Sequence, residues 1–378
     1  MAPSEKDEPA AERALARTGS LLEIDLDAII GNWRRLGQRL GPGASCAGVV
    51  KADAYGLGMA RVAPALFAAG CRLFFVATPD EGLALRRLLG DAEIAVLNGL
   101  LPGTEGDFRR ARLIPVLNDL GQVAAWRARA QTRALPAMLH IDTGMGRLGL
   151  APAETARLVA EPSRLAGLSL SAVISHLACA EEAANALNAE QLARFRAPLA
   201  HLPAAPASLA ASSGIFLGGD YHFDFVRPGA ALYGVNPTPG APNPMSQVVR
   251  LKGKILQTRE IDEGMTVGYG ATHRMRRPGR VATVAVGYAD GWLRSSSQRG
   301  SATLGGQRVP VIGRISMDLL TLDVTEVDPA LARPGSFVDL IDESHDVDAV
   351  AAAAGTIGYE ILTALGRRHH RVYRGGAG

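Results

Sequence analysis

Lysine is scarce in this chain: among its 378 residues, 40 of them Lys or Arg, the only lysines are Lys6, Lys51, Lys252 and Lys254. Lys51 stands apart because it directly follows the apolar run ASCAGVV (44–50), within the segment VVKADAYGLG (49–58). An amine at the C-terminal end of a buried strand is partly desolvated, which lowers its pKa and leaves a nucleophile able to form a Schiff base with a carbonyl. An arbitrary lysine at a strand end reaches solvent instead. Here the rarity of lysine, together with Tyr55 and the small residues that follow, favours a functional amine.

Several other segments carry residue types that could act on a ligand. HIDTGMGRLG (140–149) sets Arg147 in a glycine-rich turn, a planar donor fork suited to a carboxylate or phenolate. ISHLACAEE (174–182) puts His176 just beyond an apolar run. LAASSG (209–214) and RPGAALYG (227–234) offer Ser212, Ser213 and Gly229 to an anion through hydroxyls and backbone amides. TVGYGATHR (266–274) presents Tyr269 between glycines, which is poor core filling and suggests exposure towards a site. VAVGYADGWLR (284–294) contributes Tyr288, Asp290 and Arg294, and GRISMD (313–318) contributes Arg314, Met317 and Asp318. Taken singly, a capping arginine, a structural histidine and an ordinary polar turn explain these segments equally well.

The elements that must position these residues are legible from periodicity. Eight strand-like runs, at 44–50, 72–78, 93–99, 113–118, 136–142, 168–177, 206–212 and 223–229, alternate with helical stretches such as Met59–Ala69, Asp80–Leu89, Leu120–Ala130, Ala153–Val159 and Ala186–Ala197. That pattern predicts an α/β fold, a (β/α)8 TIM-type barrel, whose active-site mouth lies at the strand C-termini where the residues up to Gly229 fall. An open doubly wound sheet is the alternative, but GxGxxG is absent after the first strand. A Pro/Gly-rich linker, NPTPGAPNPM (236–245), then leads into strand runs with no intervening helices, apart from one helical stretch over Val347–Leu365. The expected division is a flexible N-terminal tail (1–19), a barrel domain (20–240) and a mainly β C-terminal domain (241–378). SLLEIDLDAII (20–30) precedes the first barrel strand and could also pair with the distant β domain.

Composition narrows the classes. Hydrophobic residues make up 47% and aromatics 5%, so small aliphatic side chains must do most of the packing. The formal charge of +3 is spread without a basic stripe, which argues against nucleic-acid binding, and no apolar run approaches a membrane span. Cys46, Cys71 and Cys179 lack metal-ligand spacing, so free thiols and no metal are expected. The first 20 residues have no apolar signal core, and a cytoplasmic location is expected.

Taken together and in this order, VVKADAYGLG, HIDTGMGRLG, ISHLACAEE, VRPGAALYG, VGYGATHR, VAVGYADGW, GRISMD and the YEI at 359–361 resemble the alanine racemases, pyridoxal-phosphate enzymes built from a barrel plus a C-terminal β domain. The resemblance implies interconversion of L- and D-alanine, supplying D-alanine for peptidoglycan, by a homodimer with shared active sites. It implies that Lys51 carries the cofactor covalently and serves as the base for the D-enantiomer. Tyr269, entering from the partner subunit, serves as the base for the L-enantiomer. Arg227 matches the arginine facing the cofactor's pyridine nitrogen, with His176 bridging towards Tyr269. Arg147 matches the residue that orients the phenolic oxygen and the substrate carboxylate, and the backbone amide of Met317 matches a second carboxylate contact. Tyr55, Ser212 and Gly229 fall where the phosphate is held, and Tyr288, Arg294, Arg314 and Asp318 fit the entrance corridor.

Two bases suit the reaction because a proton must leave one face of Cα and return to the other. A tyrosine phenol, ordinarily near pKa ~10, needs cationic neighbours to act as a base, and Arg227 with His176 would supply them. The chain departs from the family pattern in places. His140 stands where many members carry a carbamate-modified lysine that positions the arginine, so a bound anion or a hydrogen bond from His140 is expected in its stead. Ala211 replaces a common asparagine, and Arg367 and His369 occupy the C-terminal region expected to approach the phosphate. Competing readings are a racemase of broader specificity, for example towards serine, and a non-catalytic pyridoxal-phosphate carrier, against which residues 246–378 speak.

Overall fold

The computed structural model describes residues 10–130 and 134–376. The chain divides into two compact units, Ala28–Ser246 and Met1–Asp27 with Gln247–Gly375.

The first unit is the (β/α)8 barrel. Its seven-stranded parallel sheet runs in order Gly48–Val49, Leu73–Val76, Glu93–Val96, Ile114–Leu117, Leu135–His140, Leu168–Ile174 and Ala207–Ser208. The eighth strand, Phe225–Val226, closes the ring. It pairs in parallel with Ser45–Cys46, the Ala47 and Val49 amides donate to Val226 O (3.0 Å) and Pro228 O (3.1 Å), and Arg227 N donates to Ala210 O at 2.9 Å. Strands buried on both faces read as continuous apolar runs, and Phe74, Phe75, Val76, Ile94, Val96 and Leu139 are fully buried. Helices follow the strands, among them Met59–Ala68, Pro79–Leu88, Leu120–Arg127, Pro152–Ala160 and Ala186–Leu199.

The second unit is mainly β. Six strands pair in a ring: Val249–Ile261, Gly279–Val284, Leu320–Asp323, Gln307–Ile312, Ser301–Leu304 and Phe337–Ile341, the last returning to the first. The 13-residue strand Val249–Ile261 serves both flanks because its register shifts between Ile255 and Gln257, a bulge that bends it from one neighbour to the next.

Three expectations are corrected here. Ser20–Asp25 does not open the barrel domain: it pairs antiparallel with Val249–Ile261 and parallel with His370–Arg374, both of its edges being satisfied in the β unit. Within the expected flexible tail, residues 1–9 lie outside the described residues, but Ala10–Arg17 is a helix whose last carbonyls, Leu15 O and Ala16 O, accept from Lys254 Nζ. The helical stretch near the C-terminus is two helices, Val347–Ala354 and Gly358–Ala364, because Gly355 takes a left-handed conformation (φ 73°) and ends the first. Among the described residues no helix is long and apolar enough to cross a membrane.

Candidate active site

Lys51 follows Val50, whose amide donates to Phe75 O at 2.9 Å, so the amine emerges at the C-terminal end of the first barrel strand. The backbone then makes a left-handed turn: Ala52, Asp53, Ala54 and Tyr55 all have φ of 52–54°. Such a conformation costs a non-glycine residue roughly 1–2 kcal/mol. The turn holds because its polar groups are engaged. Ala52 N donates to Glu81 Oε1 at 2.6 Å, Gly56 N to Ala52 O at 2.7 Å, Gly58 N to Asp53 O at 2.8 Å and Met59 N to Asp53 Oδ1 at 2.7 Å. Burial lowers the Lys51 pKa, the Arg147 guanidinium lowers it further, and the Glu81 carboxylate opposes both.

The turn delivers Tyr55 to the interior, its ring 4.8 Å from that of Tyr233, whose hydroxyl donates to Val49 O at 2.9 Å. Burial pushes the Tyr55 phenol up to about 12, so it remains a neutral donor. Its hydroxyl lies against Gly229, where an added Cβ would come within 2.2 Å of the oxygen; only glycine fits. Ser212 Oγ accepts from Gly229 N and Ala231 N, each at 3.1 Å, leaving its own proton free to donate. Tyr55, Ser212 and Gly229, expected together from sequence, are thus in one place, a cluster of neutral donors suited to a phosphate.

Arg147 sits on a loop fastened at both ends. Leu150 N donates to His140 O at 2.7 Å and Asp142 N to Leu150 O at 3.0 Å, while Asp142 Oδ1 accepts the amides of Gly144 (2.9 Å), Met145 (2.9 Å) and Gly146 (3.2 Å). Gln191, fully buried, ties this loop to the segment that carries His176 just beyond the strand Leu168–Ile174: its Nε2 donates to Thr143 Oγ1 (3.1 Å) and His176 O (2.9 Å), and its Oε1 accepts Ala178 N (2.8 Å).

The barrel mouth is cationic. Arg227, 5% exposed, donates to Ser208 O at 2.9 Å, to Ser208 Oγ at 2.5 Å and to Ser175 O. Burial draws it down to about 9, still protonated at neutral pH. Burial, then Arg227, Arg147, His140 and Lys51, take His176 down to about 3; burial, Arg227 and Arg147 take His140 down to about 4 against the pull of Asp142. Both imidazoles are neutral, since a second positive charge beside Arg227 in a poorly hydrated site is unfavourable.

The remaining expected residues form a second group, all within the β unit. Tyr269 begins a short 3-10 turn, Tyr269–Ala271, and is 70% exposed. The Arg314 guanidinium lies against this turn, since a Cβ at Gly270 would meet its Nη1 at 2.9 Å. Tyr288 N donates to Ser316 O at 3.1 Å and Ala289 N to Met317 O at 2.9 Å, so Tyr288 and Met317 share one surface. Ser297 Oγ accepts Ile315 N (3.0 Å) and donates to Arg294 O (2.6 Å), bringing the Arg294 turn beside Arg314. Asp318 accepts from Arg368 Nη1 at 2.7 Å, and Arg368 Nε reaches the buried Asp290 at 3.0 Å. His369 is unsuited to a phosphate contact: its Nδ1 accepts from Ser20 Oγ at 2.7 Å and its Nε2 donates to Asp290 O at 2.8 Å.

Sequence reasoning missed Glu81, Asn118, Gln191 and Arg368. Only Glu81 left a signal: TPDE (78–81) is a capping box, with Thr78 Oγ1 accepting Glu81 N at 3.3 Å and Glu81 Oε2 accepting Thr78 N at 3.3 Å. Nothing in that motif announces the contact to Ala52.

Comparison with known proteins assigns the chain to a family. Residues 24–237 match the family description "Alanine racemase, N-terminal domain" and residues 248–373 "Alanine racemase, C-terminal domain". The chain is 55% identical to the alanine racemase of Rhodospirillum rubrum over 95% of this chain and 97% of that one. It is 51% identical to a Mesorhizobium japonicum protein named "Alanine racemase, catabolic" over 96% of this chain and 95% of the other. The structure superposes on that of alanine racemase from Bartonella henselae, described as having covalently bound pyridoxal phosphate, with TM-score 0.91 and 41% identity, covering 94% of this chain and 100% of that one. With both domains matched over most of its length, the chain belongs to the alanine racemase family.

Proposed function

We propose that the protein interconverts L- and D-alanine with pyridoxal phosphate as cofactor, using Lys51 and Tyr269 as bases on opposite faces of Cα. The observation that carries this reading is Lys51 itself: a half-buried amine, its pKa lowered, at the end of a barrel strand beside a phosphate-suited donor cluster. The residues fit the cofactor. The Gly229 backbone, too close to Tyr55 for any Cβ, makes a cradle with Ser212, and Arg227 places a fixed cation where a ring nitrogen would meet it. Bound there, pyridoxal phosphate supplies the electron sink that acidifies the Cα–H bond.

Each residue then has a task. Lys51, able to exist as a free amine, takes or returns the proton on one face, and Tyr269 Oη does so on the other. Arg147 holds the substrate carboxylate with the Met317 amide. Arg227 stays protonated at neutral pH, so it would hold the cofactor ring without handing it a proton, which would make for a weaker electron sink. His176, lowered to about 3, is neutral, so of the two expected cationic neighbours only Arg227 supplies a charge towards the tyrosine, and His176 would bridge towards it as a neutral ring. Tyr288, Arg294, Arg314 and Asp318 line the entrance. The exposure of Tyr269 (70%), Met317 (54%) and Tyr288 (43%) supports a homodimer in which this surface completes the partner's site.

D-alanine for cell-wall synthesis in the cytoplasm is the physiological reading; the name of the Mesorhizobium relative, "Alanine racemase, catabolic", favours a catabolic role as the second. The test of the chemistry is exchange of the Cα hydrogen of each alanine enantiomer with solvent deuterium. Lys51→Ala abolishes exchange and the yellow colour of the purified protein; Tyr269→Phe keeps the colour and impairs exchange from L-alanine more than from D-alanine. Equal impairment from both sides would overturn the assignment of the bases. Mixing the two variants restores activity only if each site takes Tyr269 from the partner. Growth on D-alanine as nitrogen source, against D-alanine auxotrophy, after gene removal separates the two physiological readings.

A further inference from the structure

The left-handed turn after Lys51 needs an anchor outside itself, and its first amide finds one on another element. Glu81 belongs to the helix Pro79–Leu88, which follows the second barrel strand. Its Oε1 accepts Ala52 N at 2.6 Å, while Oε2 accepts Ala77 N at 2.7 Å and Thr78 N at 3.3 Å. One carboxylate therefore joins the end of one strand, the start of a helix and the residue adjoining the cofactor lysine. A helix cap alone would use only the contacts at residues 77 and 78.

We infer that Glu81 is a positioning residue for Lys51, clamping the Ala52 amide so that the strained turn keeps the amine aimed at the substrate. Acceptance by an ionised carboxylate is the strong form of this hydrogen bond. The charge has a second effect. It lies close enough to Lys51 to favour the ammonium form, opposing burial and Arg147. Glu81 thus balances the arginine across the amine and keeps Lys51 able both to take up and to release a proton. The inference rests on the reading of Lys51 as a base.

Thr78 provides the control, because Thr78→Ala removes the helix cap and leaves the carboxylate at Ala52. In the holoenzyme, amide hydrogen exchange read by mass spectrometry on peptides covering 52–58 is expected to speed up at least tenfold in Glu81→Ala and to be unchanged in Thr78→Ala. Misplacement of a reacting group by about 1 Å costs on the order of a hundredfold in rate, so kcat falls by that order in Glu81→Ala with little change in KM. Glu81→Gln, which should fold, keeps one oxygen acceptor and removes the charge, its NH2 giving up the acceptor position at either Ala52 N or Ala77 N and Thr78 N. Losing a group that raises the Lys51 pKa moves the acid limb of the kcat profile to lower pH. Equal effects of Glu81→Ala and Thr78→Ala on exchange and kcat, or an acid limb in Glu81→Gln that stays put or moves up, would overturn the inference. Full activity in Lys51→Ala would instead remove the reading of Lys51 on which it rests, whatever the amides report.

Discussion

The side-chain oxygen of Asn118 stands 2.8 Å from Nδ1 of His140, and this contact fixes the imidazole's tautomer. The Asn118 amide nitrogen donates to Leu97 O (3.1 Å) and Val116 O (2.9 Å), so Oδ1 faces His140 as an acceptor. Nδ1 must then carry the proton, leaving Nε2 as an acceptor. Gly149, two residues beyond Arg147, packs on the same ring edge: a Cβ there would lie 3.2 Å from His140 Cδ2. The neutral imidazole keeps its Nε2 lone pair as an acceptor beside the loop that carries Arg147.

The neutrality of His140 and His176 makes stability depend on pH. Both folded-state pKa values, about 4 and about 3, lie below the ordinary ~6.5 of an unfolded histidine. Between those limits the unfolded chain binds protons that the folded chain refuses, so stability is full above pH ~6.5 and is lost as pH falls towards 4. The two imidazoles together account for several kcal/mol of that loss, on the order of 5 kcal/mol by pH 4.5. Thermal unfolding measured from pH 7.5 to 4.5 checks this, with His140→Gln expected to flatten the slope. An identical slope in the variant would count against a neutral His140.

Arg227 holds those imidazoles neutral in part through its charge. Arg227→Gln is therefore expected to raise the pKa of both His140 and His176, visible in nitrogen-15 NMR of the ring atoms. It also leaves the Ser175 carbonyl without its donor, at a cost of about 1–3 kcal/mol, while Ser208 O keeps the Ser175 amide at 3.0 Å. Unmoved imidazole titrations would show that burial alone sets them.

At Gly229 the prediction is steric. Gly229→Ala drives a methyl into the Tyr55 hydroxyl and should cost about 1–3 kcal/mol, with a weakened grip on pyridoxal phosphate. Adding Tyr55→Phe removes the clashing oxygen and should recover part of the stability but not the cofactor affinity. Differential scanning fluorimetry and cofactor titration read the two effects separately; strictly additive losses would deny that the residues touch.

Gln191→Leu tests the fastening of the Arg147 loop. It strands Ala178 N and His176 O at a cost of about 1–3 kcal/mol and frees Thr143 from one restraint. The expected kinetic signature is a raised KM for alanine at similar kcat, because carboxylate binding is what Arg147 serves. A fall in kcat alone would point elsewhere.

Some of this protein was written in the order of its residues. The alternation of apolar runs with helical stretches gave the barrel, since burial of a parallel strand on both faces imposes a local pattern. The lone lysine at the end of such a run, and the tyrosine between glycines, stood out by their residue types as two candidate groups. What local pattern cannot carry is the identity of a distant partner. Ser20–Asp25 reads as a strand, yet its place beside Val249–Ile261 and His370–Arg374 depends on edges formed by the opposite end of the chain. Asn118 and Gln191 read as ordinary polar residues, and only the fold sets them against His140 and Thr143. The left-handed turn at Ala52–Tyr55 is the extreme case: the residue types oppose it, and tertiary hydrogen bonds, Glu81 foremost, impose it. Sequence singled out the candidate groups; the fold decided how each is held and charged, because desolvation and hydrogen-bond geometry exist only once remote segments meet.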